Sequence, residues 1–180
     1  MIMTTTRLAS RNFTQVLDQI ASTVPSPGSG AAGALAVALG IACGTKAVRV
    51  SAKHQPQSTA LPEAAEALQT LRAAVLELAD ADGTAFEQLL AAYKLPTATP
   101  EAQQARRESI ATAAARAADV GEAIIDHARR AADILAAVKD QIQINVASDF
   151  NAAQSLFTAN QAVQQSNIDE NRAIERRFRS

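Results

Sequence analysis

Apolar positions in this chain recur at spacings of three and four, in about five separate runs. Phe13, Val16, Leu17, Ile20 and Ala21 predict a first amphipathic helix. It stops at the turn cluster Pro25-Ser26-Pro27-Gly28-Ser29-Gly30. The next segment, Ala31 to about Val50, is apolar on every side as far as Gly44. That pattern predicts a helix buried all round, whose small residues let its neighbours approach closely. Polar residues from Ser51 to Thr59 read as a connection. A third helix is predicted from about Pro62 to Tyr93, with Leu68, Leu71, Val75, Leu78, Asp82, Ala85 or Phe86, Leu89 and Ala92 or Tyr93 along its seam. Leu95-Pro96 ends it, and Pro100 with Glu101 opens a fourth. That helix is striped by Ile110, Ala114, Ala117, Gly121, Ile124, Ala128, Ala131, Leu135 and Val138, with Gly121 marking a kink or a close contact. The last helix starts near Ser148 and carries Phe150, Ala153, Phe157, Asn160, Gln164, Asn167, Asn171 and Ile174 at the same spacing.

Composition strengthens this reading. Of the 180 residues 42 are Ala, aromatics make up 3%, and Gly and Pro together number 13, which favours packed helices over a sandwich or barrel. We expect an all-α fold: one domain spanning 1–180, a bundle of about five long helices. Lys and Arg (17) nearly balance Asp and Glu (18), so the electrostatic footprint of a nucleic-acid binder is missing. The lone Cys43 forbids an internal disulfide framework and fits a reducing compartment. With two histidines it leaves too few soft ligands for a structural zinc site. Neither a G-x-x-x-x-G-K-[ST] loop nor an H-E-x-x-H pair occurs, so no metal or nucleotide site is expected. Met1 to Arg11 is polar and Thr-rich, without the apolar core of a signal peptide. The uncharged run Ala31 to Gly44 falls short of the about 20 residues of a membrane span. The expectation is a soluble cytoplasmic protein with neither a nucleic-acid nor a membrane partner.

Several residues break the helical pattern. Asp82 on an apolar seam costs several kcal/mol or has a raised pKa unless something compensates. It is either salt-bridged or solvated, or it borders a polar cavity of the kind bundles build for ligands. Asp80 points elsewhere. The Pro25–Gly30 turn is either a plain connection or, with free N–H groups at a helix start, a holder for an anion. Ser148 and Asp149 have the identity of capping and first-turn residues. Asn167 and Asn171, four apart on one stripe, need partners and can bond a polar ligand or another subunit. Lys53 and His54 fall in the polar connection, either solvated or in contact with an anionic ligand.

Taken together these stretches resemble the cyclodeaminase/cyclohydrolase family, which includes the cyclodeaminase half of formiminotransferase-cyclodeaminase and stand-alone methenyltetrahydrofolate cyclohydrolases. The resemblance rests on four stretches in order: Phe13 through Gly44 with its Pro-x-Pro-Gly loop, Asp80-Ala81-Asp82-Gly83-Thr84-Ala85-Phe86 followed by Ala92-Tyr93-Lys94-Leu95-Pro96, Asn145-Val146-Ala147-Ser148-Asp149, and Asn167-Ile168-Asp169-Glu170-Asn171. It spans almost the whole chain. Differences are also visible. Ser29 interrupts the family's glycine run, Ala52-Lys53-His54 replaces a Gly-Lys-Lys segment, Ile142-Gln143 replaces a Gly-Asn pair, and Gly121 stands where a proline is common. The chain also stops about one helix short of the usual family length.

The resemblance implies folate one-carbon chemistry, with a tetrahydrofolate derivative as substrate and no permanently bound cofactor. The leading expectation is hydrolysis of 5,10-methenyltetrahydrofolate to 10-formyltetrahydrofolate. The alternatives are a formiminotetrahydrofolate cyclodeaminase releasing ammonia, or an inactive family member that only binds a small molecule. A homodimer is expected, because an Ala-rich chain with stripes on several helices has faces to pair. We infer acid/base roles for Asp82 and Asp149. Ser148, Asn167 and Asn171 would bind the substrate, the two asparagines orienting the pterin or the water. Pro27, Gly28, Ser29 and Gly30, with Lys53 or His54 nearby, would receive the anionic glutamate tail.

Overall fold

The computed structural model describes residues 7–8 and 12–179. Apart from Arg7 and Leu8, the polar N-terminal stretch read above lies outside the described residues. Five helices form: α1 (Phe13–Ile20), α2 (Ser29–His54), α3 (Ala60–Tyr93), α4 (Pro100–Ala137) and α5 (Ala147–Arg179). The fold is all-α, with no strand among the described residues. Local chemistry sets several boundaries. Asn12 and Gln15 make a capping box at α1, and Thr99 accepts the N–H of Ala102 with Pro100 in the first turn of α4. Gly28 precedes α2 without any side-chain cap of its own.

Helices α2 to α5 run alternately up and down. Each packs on the next, and α5 returns against α2 to close a four-helix ring. The connection between α4 and α5 contains two short 3₁₀ turns, Lys139–Gln141 and Ile144–Val146. Ser51 holds it down: its hydroxyl donates to Ala47 O and accepts the N–H of Gln143.

The main core joins buried side chains of all four long helices, among them Ile41, Val48, Leu68, Val75, Ile124, Leu135 and Phe157. A second, smaller core of Leu89, Ala92, Ile110 and Ala114, with Tyr93, Ile174 and Phe178 against it, belongs to α3, α4 and α5 alone. Helix α2 therefore starts partway along the bundle. Above its first turn four helices become three, and a notch is left at its N-terminus.

Three expectations need correction. Ser51 to His54 are helical, because Ser51 is fully buried and hydrogen-bonded, so the polar connection shrinks to 55–59. Lys53 and His54 therefore sit on the last turn of α2. Helix α2 is not buried all round either, since Leu39 is 49% exposed. Nor is it too short to cross a membrane, as the apolar run alone suggests: it has 26 residues, and its most apolar 18-residue stretch has a mean hydropathy of 1.7, but 61% of that stretch is buried against other helices, as in a core helix. Of the two readings open for Gly121, the close contact holds: a Cβ there would fall 2.8 Å from Ile168 Cγ1 of α5.

Candidate functional site

The notch above α2 is a cleft of about 300 Å³. Its floor is Gly28, Ser29 and Gly30, and its near wall is Pro25 and Ser26. Helix α3 contributes Asp82, Phe86 and Leu89, α4 contributes Ala117, and α5 contributes Asn167, Glu170, Asn171 and Ile174. No Lys, Arg or His is among these lining residues, so their only ionisable groups are two carboxylates.

Asp82 reaches the floor because α2 begins with glycine. A Cβ on Gly30 would lie 2.0 Å from Asp82 Oδ1, so the carboxylate occupies the space a side chain would need. There it accepts the N–H of Ala31, one of the orphan donors of the first turn. Burial pushes the Asp82 carboxyl above the ordinary carboxylate range, and the Ala31 N–H pulls it partly back. The neighbouring Gly83 serves the opposite wall: a Cβ there would fall 2.6 Å from Ser26 Oγ. Two small residues thus let α3 meet both the helix start and the loop before it.

On the α5 side, Ser29 Oγ donates to Asn167 Oδ1 at 3.0 Å, and Asn171 Nδ2 donates to Asn167 O at 2.9 Å. Deeper down, the fully buried Gln164 donates to Gly30 O at 2.9 Å. Farther up, Arg172 ties α5 to α4 through Asp119 and Glu122 at 2.7 and 2.9 Å.

The structure brings together Asp82, Gly28, Ser29, Gly30, Asn167 and Asn171. Pro27 lies beside them but lines a separate cavity with Asp80 and Gly83. Asp80 does turn away from the cleft, accepting the N–H of Leu8 at 2.9 Å.

Asp149 and Ser148 are elsewhere. Asp149 pairs with Lys46 at 2.9 Å, and Lys46 lies sixteen residues along α2 from Gly30, about 24 Å at 1.5 Å per residue. Ser148 is exposed beside it in the first turn of α5. Lys53 and His54 are farther still, about 35 Å from the loop they were expected to accompany, because α2 continues as one unbroken helix between them. Within one chain the cleft therefore has neither a second aspartate nor a basic residue from that group.

Sequence reasoning left three contributors unassigned. Glu170 lies within the Asn167–Asn171 motif with no role of its own, Gly83 is simply the neighbour of Asp82, and Gln164 has only a place on the α5 stripe. For Gln164 the available signal was the one that exposed Asp82, a polar side chain in an apolar register.

Comparison with known proteins adds to this geometry. The formiminotransferase-cyclodeaminase family pattern matches residues 12–173. Over 140 residues the chain is 31% identical to a methenyltetrahydrofolate cyclohydrolase of Methylorubrum extorquens, covering 76% of this chain and 67% of that protein. Its fold is shared with the crystal structure of formiminotetrahydrofolate cyclodeaminase from Thermotoga maritima. That match has a TM-score of 0.79 at 23% identity, over 95% of this chain and 84% of the other.

Proposed function

Because the chain belongs to the formiminotransferase-cyclodeaminase family, we propose that it hydrolyses 5,10-methenyltetrahydrofolate to 10-formyltetrahydrofolate in the notch above α2. The observation that carries this reading is the Asp82 carboxylate, held with a raised pKa in a cleft whose lining has no basic side chain. The substrate is a cationic amidinium, and a carboxylate beside it favours the cation while remaining able to take a proton.

Water adds to the amidinium carbon, and Asp82 accepts one of its protons. The same proton then passes to the ring nitrogen that departs, the carbon–nitrogen bond breaks, and the formyl group stays on the other nitrogen. The remaining hydroxyl proton leaves to solvent as the formyl carbonyl forms, so one proton is released per turnover. Asn167 and Asn171 supply amide groups to orient the pterin or the water, beside Phe86 and Leu89 as apolar wall. The test is the loss of methenyltetrahydrofolate absorbance with purified protein against spontaneous hydrolysis in buffer. Acceleration that disappears in Asp82→Asn supports the reading. A protein that accelerates nothing here but releases ammonia from formiminotetrahydrofolate is a cyclodeaminase.

We also infer a homodimer. The sequence carries no charge from Gln19 to Thr45 or from Phe150 to Ile168, and Leu39 of α2 and Val163 of α5 are exposed on those runs. Antiparallel pairing of two α2 helices across a twofold centred near Leu39 and Cys43 would set Lys53 and His54 of one copy toward the Pro25–Gly30 loop of the other. Light scattering on the parent and on Leu39→Lys tests it: a dimer that becomes monomer supports the pairing, and a parent monomer ends it.

A further inference from the structure

Gln164 is wholly buried on α5, at 0% exposure, and Asn160 one turn earlier is at 1%. Both hydrogens of the Gln164 amide are used. Nε2 donates to Gly30 O at 2.9 Å and to Asn160 Oδ1 at 3.4 Å. Gln164 Oε1 and Asn160 Nδ2, in contrast, are buried without a partner. An orphaned buried group forfeits its hydrogen bond to water with nothing in return, and an apolar pair of similar shape would avoid that cost. The chain keeps an expensive pair at this position, under the floor of the cleft.

Gly30 O and Ala31 N belong to the same peptide unit. Its carbonyl accepts from Gln164 and its N–H donates to Asp82, so one rigid plane joins the two side chains. A donor on the carbonyl polarises the amide and makes its N–H a stronger donor. We propose that Gln164 is a positioning residue for Asp82, acting through the Gly30–Ala31 peptide both to fix the first turn of α2 and to strengthen the hydrogen bond the carboxylate receives. The inference rests on the catalytic reading of Asp82 for its consequence, but its geometry stands without it. The charged groups around Asp82 are few: Glu170 on α5 lines the same cleft, α4 and the loop offer Ala117, Pro25 and Ser26, and Asp80 on α3 faces Leu8.

The test is a titration of the Asp82 carboxyl by carbon NMR in the parent and in Gln164→Met, with the Ala31 amide proton shift read alongside. Without the donor the Asp82 midpoint rises by roughly half to one pH unit, and the Ala31 proton moves upfield as its bond weakens. The acid limb of the kcat profile follows by the same amount, with KM nearly unchanged. A double variant, Asn160→Leu with Gln164→Met, leaves no side-chain orphan in the pair and repeats the measurement if the single variant folds poorly. An Asp82 midpoint that stays within about 0.2 units of the parent in a folded variant overturns the proposal, whatever happens to the rate. If the parent turns over no folate, the catalytic reading fails, and the titration still decides the coupling.

Discussion

Asp82 of α3 accepts the N–H of Ala31 and so caps a helix to which it does not belong. Helix α2 starts at Ser29, Gly28 before it offers no side-chain cap, and its positive end would otherwise face the cleft uncompensated. The carboxylate satisfies that end and remains at the cleft wall. Structural and chemical roles therefore fall on one residue, and substitutions have to separate them.

Asp82→Asn separates them by charge. The amide oxygen can still accept the Ala31 N–H, so the cap survives, while the proton acceptor is lost. Turnover should fall at least about 100-fold with folding intact. Stability should move the other way at neutral pH. Burial holds the Asp82 proton more tightly in the folded chain than in the unfolded one, so its stabilising contribution is complete below the ordinary carboxylate value and is lost as pH rises through the raised one. The asparagine variant escapes that loss. Urea unfolding from pH 4 to 7 should show the variant gaining on the parent as pH increases; a parent that gains instead would place Asp82 in an ion pair.

Gly30→Ala separates them by space. The new methyl carbon would stand within 2.7 Å of all three carboxyl atoms of Asp82, so the carboxylate must leave the Ala31 N–H. Alanine favours the helix by about 1 kcal/mol, which offsets part of an overpacking cost of about 1–3 kcal/mol. Stability should thus fall modestly while turnover falls about as far as in Asp82→Asn. Gly44→Ala is the control. It collides with Leu135 at 2.7 Å, far from the cleft, and should lower the melting temperature without changing kcat.

Much of this arrangement was legible in the chain. The helical stripes placed α1, α3, α4 and α5 within a few residues of their ends, because three-and-four spacing reports directly which face is buried. Asp82 declared itself as a charge in an apolar register. The end of α2 was misread because Ser51, Lys53 and His54 are polar: the buried hydroxyl of Ser51 is satisfied within the helix and by Gln143, which single-residue polarity does not reveal. The separation of Asp149 from Asp82 was hidden for another reason. Both sit on helix faces turned toward α2, but they meet it about 24 Å apart, and only the antiparallel register of α5 against α2 says so.

Ser29→Gly makes the loop more like the family's glycine run and removes the hydroxyl that holds Asn167. The bond is exposed, so its loss should cost no more than about 1 kcal/mol of stability. Freed from Ser29, the Asn167 amide loses its fixed orientation, and KM for the folate should rise about threefold with kcat unchanged. A change confined to kcat would mean that Asn167 handles the water rather than the pterin.

Asp149 and Lys46 test whether one chain holds the whole site. Their ion pair is partly exposed, and breaking it with Asp149→Asn should cost less than about 1 kcal/mol. If the cleft of a single copy is sufficient, kcat stays within about twofold of the parent. The same holds for Lys53→Ala and His54→Ala, which lie at the far end of α2. In the antiparallel dimer those two side chains approach the loop of the other copy, and their removal should raise KM for a folate with its glutamate tail while leaving a tail-less analogue unaffected. Leu39→Lys should then abolish the difference between the two substrates, because a monomer has no second α2 to supply the charge. A tail preference that survives in a proven monomer would move the anionic end of the substrate onto the first turn of α2 itself.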